Sequence, residues 1–361
     1  MKKILSALMA LVLVFLVFPV PAGAEDVIED FHGAVLNVFN WGSYIDEDEQ
    51  VLESFKKKYN CEINYKNYDS NETLYTKLLG GDDPWDILVP SDYMIERLIK
   101  EKRLQPLDKS IIDNLDNLAE PVRNLAFDPD NTYSVPYLWQ SVGIVYDTTK
   151  LDPALVEEKG WEIFLDPSIK GHAYMYDSAR DAFMIALKSL GYSANSENLE
   201  EIDAANEWLL NMHRTIDPSY VTDEMIDGMA EGLKWISLGY SGDIAYIISE
   251  NEDMAFCAPW QGTNIAVDAM VIPANAGNPR LANLFIRHVT EYESSLLISD
   301  YTGYASPNAQ VLEELYGPGG TYEGNSAYMP RAGYAADEIY VDLPDLAGEL
   351  NHRWTKIMAA Q

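Results

Sequence analysis

Aromatic and hydroxyl side chains follow two of the predicted strands at the points where those strands end. Asn40, Trp41 and Tyr44 come after the apolar run LNVF, and Ser91 and Tyr93 come after DILVP. Indole and phenol rings present flat apolar faces, and the same faces attract cations. In open α/β sheets, ligands bind outside the carboxyl ends of the strands. The two loops therefore predict the wall of a ligand crevice or, as the alternative, aromatic lids over the edge of a core.

Sequence motifs of the common hydrolases and nucleotide-binding enzymes are absent. The segment GYSGD at 239–243 has its closing glycine one place too early for a nucleophile elbow. The five histidines are scattered without a metal-binding spacing, and there is no Walker loop and no G-x-G-x-x-G. Carboxylates lie next to each other often, but in a chain with 58 acidic residues most of them are solvated surface. The sequence therefore gives no support for an enzyme, a cofactor or a metal, and a secreted hydrolase is the rival from another class.

The residues around these loops alternate between strand and helix patterns. AVLNVFN predicts a strand, and the segment that follows predicts a helix in which Val51, Leu52, Phe55 and Tyr59 recur at helical spacing. Acids in the first turn and three lysines in the last turn of this helix complement its dipole. CEINYKNY and WDILVPS predict strands, and DSNETLYTKLLGG and DYMIERLIKEKRL predict helices, the first with Glu72 three residues after Asp69. This order predicts a parallel α/β sheet.

The amino terminus and the charge limit the compartment and the class of partner. Residues 1–24 contain two lysines, an apolar run and a small-residue AGA site, the pattern of a cleavable secretory signal. They predict export, most naturally to a bacterial periplasm. The formal net charge of −33 opposes binding to nucleic-acid phosphates and permits a cationic ligand without showing one. Cys61 and Cys257 are expected to be two buried thiols rather than a disulfide.

Seven segments resemble, in order and spacing, the bacterial polyamine-binding proteins, which are periplasmic spermidine and putrescine receptors of ABC importers. The segments are FNWGSYI, YDSNETLYTKL, DILVPSDYM, YSVPYLW, YDSARDAF, VDAMVIPANA and TGYASPNA. The resemblance covers residues 35–357 and implies an α/β, two-lobed periplasmic binding protein fold of the type II-like kind. In that fold each lobe is a mixed sheet flanked by helices, and crossing strands form the hinge. Lobe 1 is then expected over residues 25–138 plus 269–308, and lobe 2 over 139–268 plus 309–361.

The resemblance also implies a set of ligand-binding residues. Position by position, the matching residues are Trp41, Tyr44, Ser91, Tyr93, Ser178, Asp181, Tyr240, Asp243, Asp268, Tyr304 and Tyr340. Asp268 matches the central acid near the hinge, Asp181 an acid that binds an amine, and Asp243 an acid of putrescine-type receptors. As the alternative, these acids would be helix caps or turn residues. Tyr340 falls near a position where spermidine receptors use a polar side chain.

The chemistry of a polyamine supports this assignment independently. A polyamine is a string of ammonium groups on methylene spacers, and each buried ammonium needs a carboxylate or several other acceptors. The methylenes need flat apolar walls, and an aromatic wall also attracts a cation by roughly 0.5–2 kcal/mol. The chain supplies both kinds of group.

Three positions depart from the family pattern. Tyr240 stands where the family usually has tryptophan, and Ala266 stands where relatives place an aromatic ring. The loss of that ring leaves room or passes its task to another side chain such as Trp260. Ser178 stands at a position that is an acid in spermidine-type receptors and a serine in putrescine-type receptors. Ser178 and Asp243 together therefore favour putrescine as the ligand.

These features predict an extracytoplasmic solute receptor that binds a polyamine of the putrescine or spermidine class and delivers it to the permease of an ABC importer. Such a protein performs no covalent chemistry, needs no cofactor, binds no nucleic acid and acts as a monomer. The nearest alternative is a receptor of the same fold for an iron complex, a sugar or another cationic metabolite. An iron site requires clustered phenolates or carboxylates, whereas a polyamine site uses aromatic faces with spaced acids.

Overall fold

The computed structural model describes residues 28–46, 50–81 and 84–360, so the predicted signal segment lies outside the described residues. The strands are β1 (Ala34–Trp41), β2 (Cys61–Tyr68), β3 (Ile87–Leu88), β4 (Ser134–Asp147), β5 (Ala173–Tyr176), β6 (Ser219–Val221), β7 (Ile236–Tyr240), β8 (Met254–Cys257) and β9 (Ile265–Val271). The helices are α1 (Gln50–Tyr59), α2 (Asn71–Gly80), α3 (Asp92–Lys100), α4 (Pro153–Lys159), α5 (Ala179–Ser189), α6 (Leu199–Ile216), α7 (Glu224–Ala230), α8 (Ser241–Glu250), α9 (Pro279–Val289), α10 (Tyr292–Thr302), α11 (Ala309–Tyr316) and α12 (Pro344–Met358). Short 3₁₀ helices lie at Leu115–Asn117, Glu120–Val122, Gly160–Leu165 and Pro167–Ile169.

The strands form one mixed sheet in the order β2-β1-β3-β9-β4-β7-β5-β6, with β8 paired to β4 off this path. Strand β1 pairs in parallel with β2 and β3, and β5 pairs in parallel with β6 and β7. Between these two groups, β9 pairs antiparallel with β3 and β4, and β4 pairs antiparallel with β7. The strand–helix alternation therefore produces parallel pairing at both ends of the sheet, and antiparallel strands join the two ends.

Strand β4 crosses from one end of the sheet to the other. All 14 of its residues are buried. Its first part, residues 134–141, pairs with β9, and its second part, residues 142–147, pairs with β7 and β8. Trp139 lies at the crossing, where it is 1% exposed and its indole Nε1 donates to the Ser306 carbonyl oxygen at 3.1 Å. The indole is thus part of the packing at the crossing.

Apolar side chains pack into separate cores on the two sides of this crossing. The first core comprises the clusters around Leu36, Phe55 and Met94 and combines β1, α1, α3, β9 and α9. The second core comprises the clusters around Phe183 and Ile244 and combines β4, α5, α6, α8 and α12. Each fully buried Leu, Ile or Phe side chain stabilises its core by roughly 1.5–3 kcal/mol. The chain returns to the first core at β9, so neither core is built from one continuous segment.

The structure agrees with the predicted buried face of α1 and differs from the sequence prediction at the N-cap of α2. The buried residues of α1 are those predicted from helical spacing, namely Val51, Leu52, Phe55 and Tyr59. The N-cap of α2 is Ser70 rather than Asp69: the Ser70 hydroxyl accepts the Thr73 backbone N–H at 3.1 Å. The Asp69 carboxylate instead accepts the Thr73 hydroxyl at 2.8 Å. Gly81 ends α2 with a φ of 70°, a left-handed conformation that favours glycine.

The two cysteines are free and buried, as predicted. Burial raises the pKa of both thiols to about 11, which keeps them protonated near neutral pH. Among the helices of the described ranges, none is both long enough and apolar enough to span a bilayer.

Candidate ligand-binding site

Asp268 on β9 is the centre of the first group of polar side chains. It is 2% exposed, and its two carboxylate oxygens accept the hydroxyls of Tyr44 and Ser91, each at 2.6 Å. Ser91 is the residue before α3. Its side chain reaches Asp268 because the backbones of these two residues form an isolated antiparallel bridge. Burial raises the pKa of Asp268 to about 6, and the two hydroxyl donors oppose this shift. Each carboxylate oxygen keeps a second lone pair with which it can accept a ligand N–H.

Asp181 in the first turn of α5 is the centre of a second group. Its Oδ2 accepts the Tyr240 hydroxyl at 2.9 Å, and its Oδ1 accepts the Tyr340 hydroxyl at 2.8 Å. Ser178 is the N-cap of α5, and its hydroxyl accepts the Asp181 backbone N–H at 3.3 Å. The alternative that Asp181 caps this helix is therefore wrong. Ser178 takes the capping role, and the carboxylate of Asp181 points to two phenols.

Asp243 forms a third group, which joins the two cores. It lies in the first turn of α8, and its Oδ1 accepts the Tyr304 hydroxyl at 2.8 Å. Tyr304 packs in the first core and approaches Gly242 so closely that a Cβ atom there would lie 2.2 Å from the ring. Burial raises the pKa of Asp243 to about 7; the Tyr304 hydroxyl opposes this shift, and the charge of Asp223 adds to it.

Two pairs of phenol rings lie beside the three carboxylate groups. The rings of Tyr44 and Tyr304 meet edge to face at 5.1 Å, which links the Asp268 group to the Asp243 group. The rings of Tyr176 and Tyr240 meet in the same way at 5.0 Å. Such pairs add roughly 0.5–1.5 kcal/mol beyond the area that they bury. The result is two pairs of phenol rings, each of which lies beside carboxylates.

Tyr176 belongs to the second ring pair, and the sequence analysis missed it. Its hydroxyl donates to Asp223 Oδ1 at 2.8 Å. Burial, with smaller contributions from the negative charges of Asp223, Asp243 and Asp181, raises the pKa of Tyr176 far above its ordinary value. Its position at the carboxyl end of β5 is the same signal that identified the residues after β1.

Trp41 and Tyr93 lie at the boundary between core and surface. The Trp41 indole Nε1 donates to the Val89 carbonyl oxygen at 2.9 Å, and its ring lies 4.6 Å from that of Tyr68. The Tyr93 hydroxyl donates to Glu72 at 3.2 Å, and its ring packs against both cores. Both side chains are half-buried, so each contacts a core and retains an exposed part.

The place of the missing family ring is not taken by Trp260. This tryptophan is 56% exposed, and its indole Nε1 donates to the Glu158 carbonyl oxygen at 3.0 Å. Ala266 is 8% exposed on β9, and the residue opposite it on β4 is Gln140. The alternative that Trp260 replaces the ring is therefore wrong.

This arrangement suits a ligand with several positive charges and apolar spacers. The three carboxylates can each accept N–H groups, and the phenol faces attract cations and contact methylenes. Within residues 28–46, 50–81 and 84–360, no three or more His, Cys, Asp and Glu side chains are grouped so that they could hold a metal ion.

Comparison with known proteins places the chain in a family. The model of the bacterial extracellular solute-binding proteins matches residues 50–324. The chain belongs to this family. Solute-binding proteins of this family are receptors rather than enzymes.

Individual relatives of this solute-binding protein agree with the resemblance seen in the sequence. The spermidine/putrescine-binding periplasmic protein of Salmonella typhimurium is 31% identical over 281 residues, which are 78% of this chain and 79% of the relative. The putrescine/cadaverine-binding protein of Pseudomonas aeruginosa is 31% identical over 287 residues, 77% of this chain and 80% of the relative. A spermidine/putrescine ABC transporter substrate-binding protein of Streptococcus pneumoniae superposes with a TM-score of 0.77 at 31% identity, covering 91% of this chain and 99% of that one. This likeness confirms the two-lobed α/β fold that the sequence predicted.

Proposed function

We propose that this solute-binding protein is an extracytoplasmic receptor that binds a linear polyamine of the putrescine or spermidine class and delivers it to the permease of an ABC importer. The observation that carries the proposal is the set of three carboxylates, Asp181, Asp243 and Asp268, each of which accepts at least one tyrosine hydroxyl beside paired phenol rings. The names of the relatives support the same ligand class. The protein would act as a monomer in the periplasm and would leave the ligand chemically unchanged.

Ligand binding would favour the arrangement in which both lobes surround the amine. The proposed lobe 1 supplies Tyr44, Ser91 and Tyr304, and the proposed lobe 2 supplies Asp181 and Tyr240, with the lobe boundaries as predicted from the sequence. An ammonium group gains the partners of both lobes only when they approach each other, so the ligand shifts the population toward the closed state.

Calorimetric titration tests the proposed ligand class. Ligand-stripped mature protein is titrated with putrescine, cadaverine, spermidine, spermine and agmatine, with sugars and ferric ion as controls. We expect saturable binding of at least one linear amine and none of the controls. Absence of heat with every amine would overturn the proposal.

Amine affinity is expected to fall as the pH drops below about 7. In the ligand-free protein, burial raises the pKa of Asp243 to about 7 and that of Asp268 to about 6. A bound ammonium favours the charged carboxylates and lowers both pKa values, so binding at pH 6.5 releases protons. When the pH is below the pKa that a carboxyl has in the ligand-free protein, the carboxyl must lose its proton before it can pair with the ammonium. Each such carboxyl reduces the association constant by up to about tenfold per pH unit. Calorimetry in buffers of different ionisation enthalpy measures the released protons, and an association constant that stays level from pH 8 to 5.5 would contradict this expectation.

Replacing Trp41 with alanine is expected to weaken amine binding by about 1–3 kcal/mol through lost contact and cation–π attraction. The dissociation constant is measured by calorimetry and the unfolding temperature separately, because the indole also bonds to Val89. Trp260→Ala removes an exposed tryptophan outside the site and is the matched control. Wild-type affinity in Trp41→Ala would restore the interpretation of this ring as a lid on the core edge.

An ion pair between Arg97 and Asp342 joins the two cores outside the predicted ligand residues. Arg97 on α3 donates from Nε at 2.9 Å and from Nη2 at 2.6 Å to one oxygen of Asp342. The backbone N–H of Asp342 donates to Glu96 on the same helix at 2.8 Å. Asp342 precedes α12, which packs on the second core, whereas α3 packs on the first. The contact therefore stabilises the present arrangement of the two cores.

Arg97→Ala is expected to weaken the binding of different amines by a similar factor, about 3- to 10-fold. The ion pair favours the arrangement that surrounds the ligand, whatever the length of the amine. Dissociation constants for putrescine and spermidine are compared in the variant and in the wild type. Arg103→Ala, which removes a pair with nearby Glu101, is the control. A variant that weakens one amine and spares the other would show that Arg97 acts on the ligand itself.

A further inference from the structure

Gln140 on β4 carries a hydrogen-bond acceptor to which the proposed ligand site assigns no role. The side chain is 8% exposed, and its amide oxygen is buried without a hydrogen-bond partner among the described residues. Buried polar atoms in folded proteins are nearly always hydrogen-bonded, so each exception requires a physical explanation.

The sheet register places this side chain among the candidate ligand groups. Gln140 stands opposite Ala266 in the antiparallel pair of β4 and β9, two residues from the pair of Leu138 and Asp268. Opposite residues of an antiparallel pair share a face, and faces alternate along each strand. Gln140, Ala266 and Asp268 therefore lie on one face. The residues between them, Trp139 and Val267, pack on the other face in a separate cluster.

The same face continues to the second carboxylate group. Val142, two residues after Gln140, stands opposite Tyr240 on β7, and the Tyr240 hydroxyl binds Asp181. Gln140 thus lies between the strand position of Asp268 and that of Tyr240, and neighbours along this diagonal are about 7–8 Å apart. The small side chain of Ala266 leaves the approach to Gln140 open from the side of Asp268.

We propose that Gln140 is a specificity-determining ligand contact whose amide oxygen accepts an N–H from the internal secondary ammonium of a linear triamine. This inference rests on the proposed function and names the ligand within its class. The terminal ammonium groups bind at Asp268 and Asp181, and the amide accepts from the charged nitrogen between them. A hydrogen bond to a charged donor is stronger than a neutral one. An amide cannot take up a proton from the ligand, so its role as an acceptor does not depend on pH.

The test compares two amines of equal length. Spermidine and 1,8-diaminooctane have the same number of chain atoms between their terminal nitrogens, but only spermidine has an internal N–H. Both are titrated by calorimetry into the wild type, into Gln140→Leu, which keeps the side-chain volume, and into Gln140→Ala. Gln105→Leu is the matched control, because the Gln105 amide bonds to Pro273 outside this face. Circular dichroism and the unfolding temperature verify that each variant is folded, and Gln140→Ala gives the result where Gln140→Leu does not fold.

We expect the wild type to bind spermidine at least about tenfold more tightly than the diamine, and the Gln140 variants to lose at least about tenfold for spermidine alone. The affinity for 1,8-diaminooctane remains at its wild-type value, because a methylene has no N–H to donate. Equal losses for the two amines, or an unchanged preference for spermidine, would overturn the role of Gln140 and leave the proposed function standing. Failure of the wild type to bind any amine would overturn the proposed function and this inference together.

Discussion

Replacing Asp268 with asparagine is expected to weaken the binding of putrescine and spermidine by about 2–5 kcal/mol. The substitution leaves an oxygen beside the hydroxyls of Tyr44 and Ser91 but removes the charge that balances a buried ammonium. Dissociation constants measured by calorimetry at pH 8, where the wild-type carboxyl is ionised, give the size of the loss. Asp268→Ala should lose at least as much, because it also leaves two buried hydroxyls without their acceptor.

The stability of the same variant separates a ligand contact from a structural one. Because the pKa of Asp268 in the folded protein is raised to about 6, the protein favours the uncharged form of this group. The contribution of Asp268 to the free energy of unfolding of the ligand-free protein therefore rises as the pH falls through 6, and a neutral asparagine should not lower the unfolding temperature at pH 8.

A second buried aspartate provides the control for Asp268. Asp86 is 1% exposed, and its carboxylate accepts the backbone N–H groups of Asn37 and Asn278. Asp86→Asn should lower the unfolding temperature and keep the wild-type affinity. Wild-type affinity in Asp268→Asn would show that this carboxylate is not the central anchor of the ligand.

Replacing Asp181 with asparagine is expected to have an effect of the same size, about 2–5 kcal/mol. Asp181 accepts the hydroxyls of Tyr240 and Tyr340, and these neutral donors hold the carboxylate in place without cancelling its charge. Tyr340→Phe removes one of the two donors and keeps the charge, so its loss of affinity should be smaller. Calorimetry on both variants measures the difference.

Asp177 is the matched control for this second acid. It lies four residues before Asp181, just ahead of α5, and its Oδ1 accepts the Trp354 indole N–H at 2.7 Å. Asp177→Asn should retain wild-type affinity, because this carboxylate already serves a contact with α12. If Asp177→Asn and Asp181→Asn lose affinity equally, the effect comes from the negative charge of the turn and not from a bond to the ligand.

The fold could be predicted from the sequence where the signals are local. Helical spacing identified the buried face of α1, and the order of strands and helices predicted the parallel pairing of β1, β2 and β3. The rule that ligands bind at the carboxyl ends of strands selected Trp41, Tyr44, Ser91 and Tyr93 before any geometry was known. The same rule also applies to Tyr176 at the carboxyl end of β5, but its strand of four residues was too short to be recognised.

Pairings between distant residues required the tertiary structure. Tyr44 and Asp268 are 224 residues apart, and Asp181 and Tyr340 are 159 apart, so each contact depends on how complete elements pack. No local pattern shows whether a serine or an aspartate near a helix start becomes the cap, since both side chains can accept the same backbone N–H.

The sequence by itself determined the order of the elements, their apolar faces and the kinds of group that gather at the strand ends, because these depend on spacing within one segment. Only the tertiary structure decided which phenol binds which carboxylate and where burial raises a pKa. It also placed Gln140 on the face of Asp268 beside Ala266, because the register of β4 against β9 determines which side chains are neighbours. Tyr44, which follows β1, is likewise joined to Asp268 far along the chain only in the folded protein.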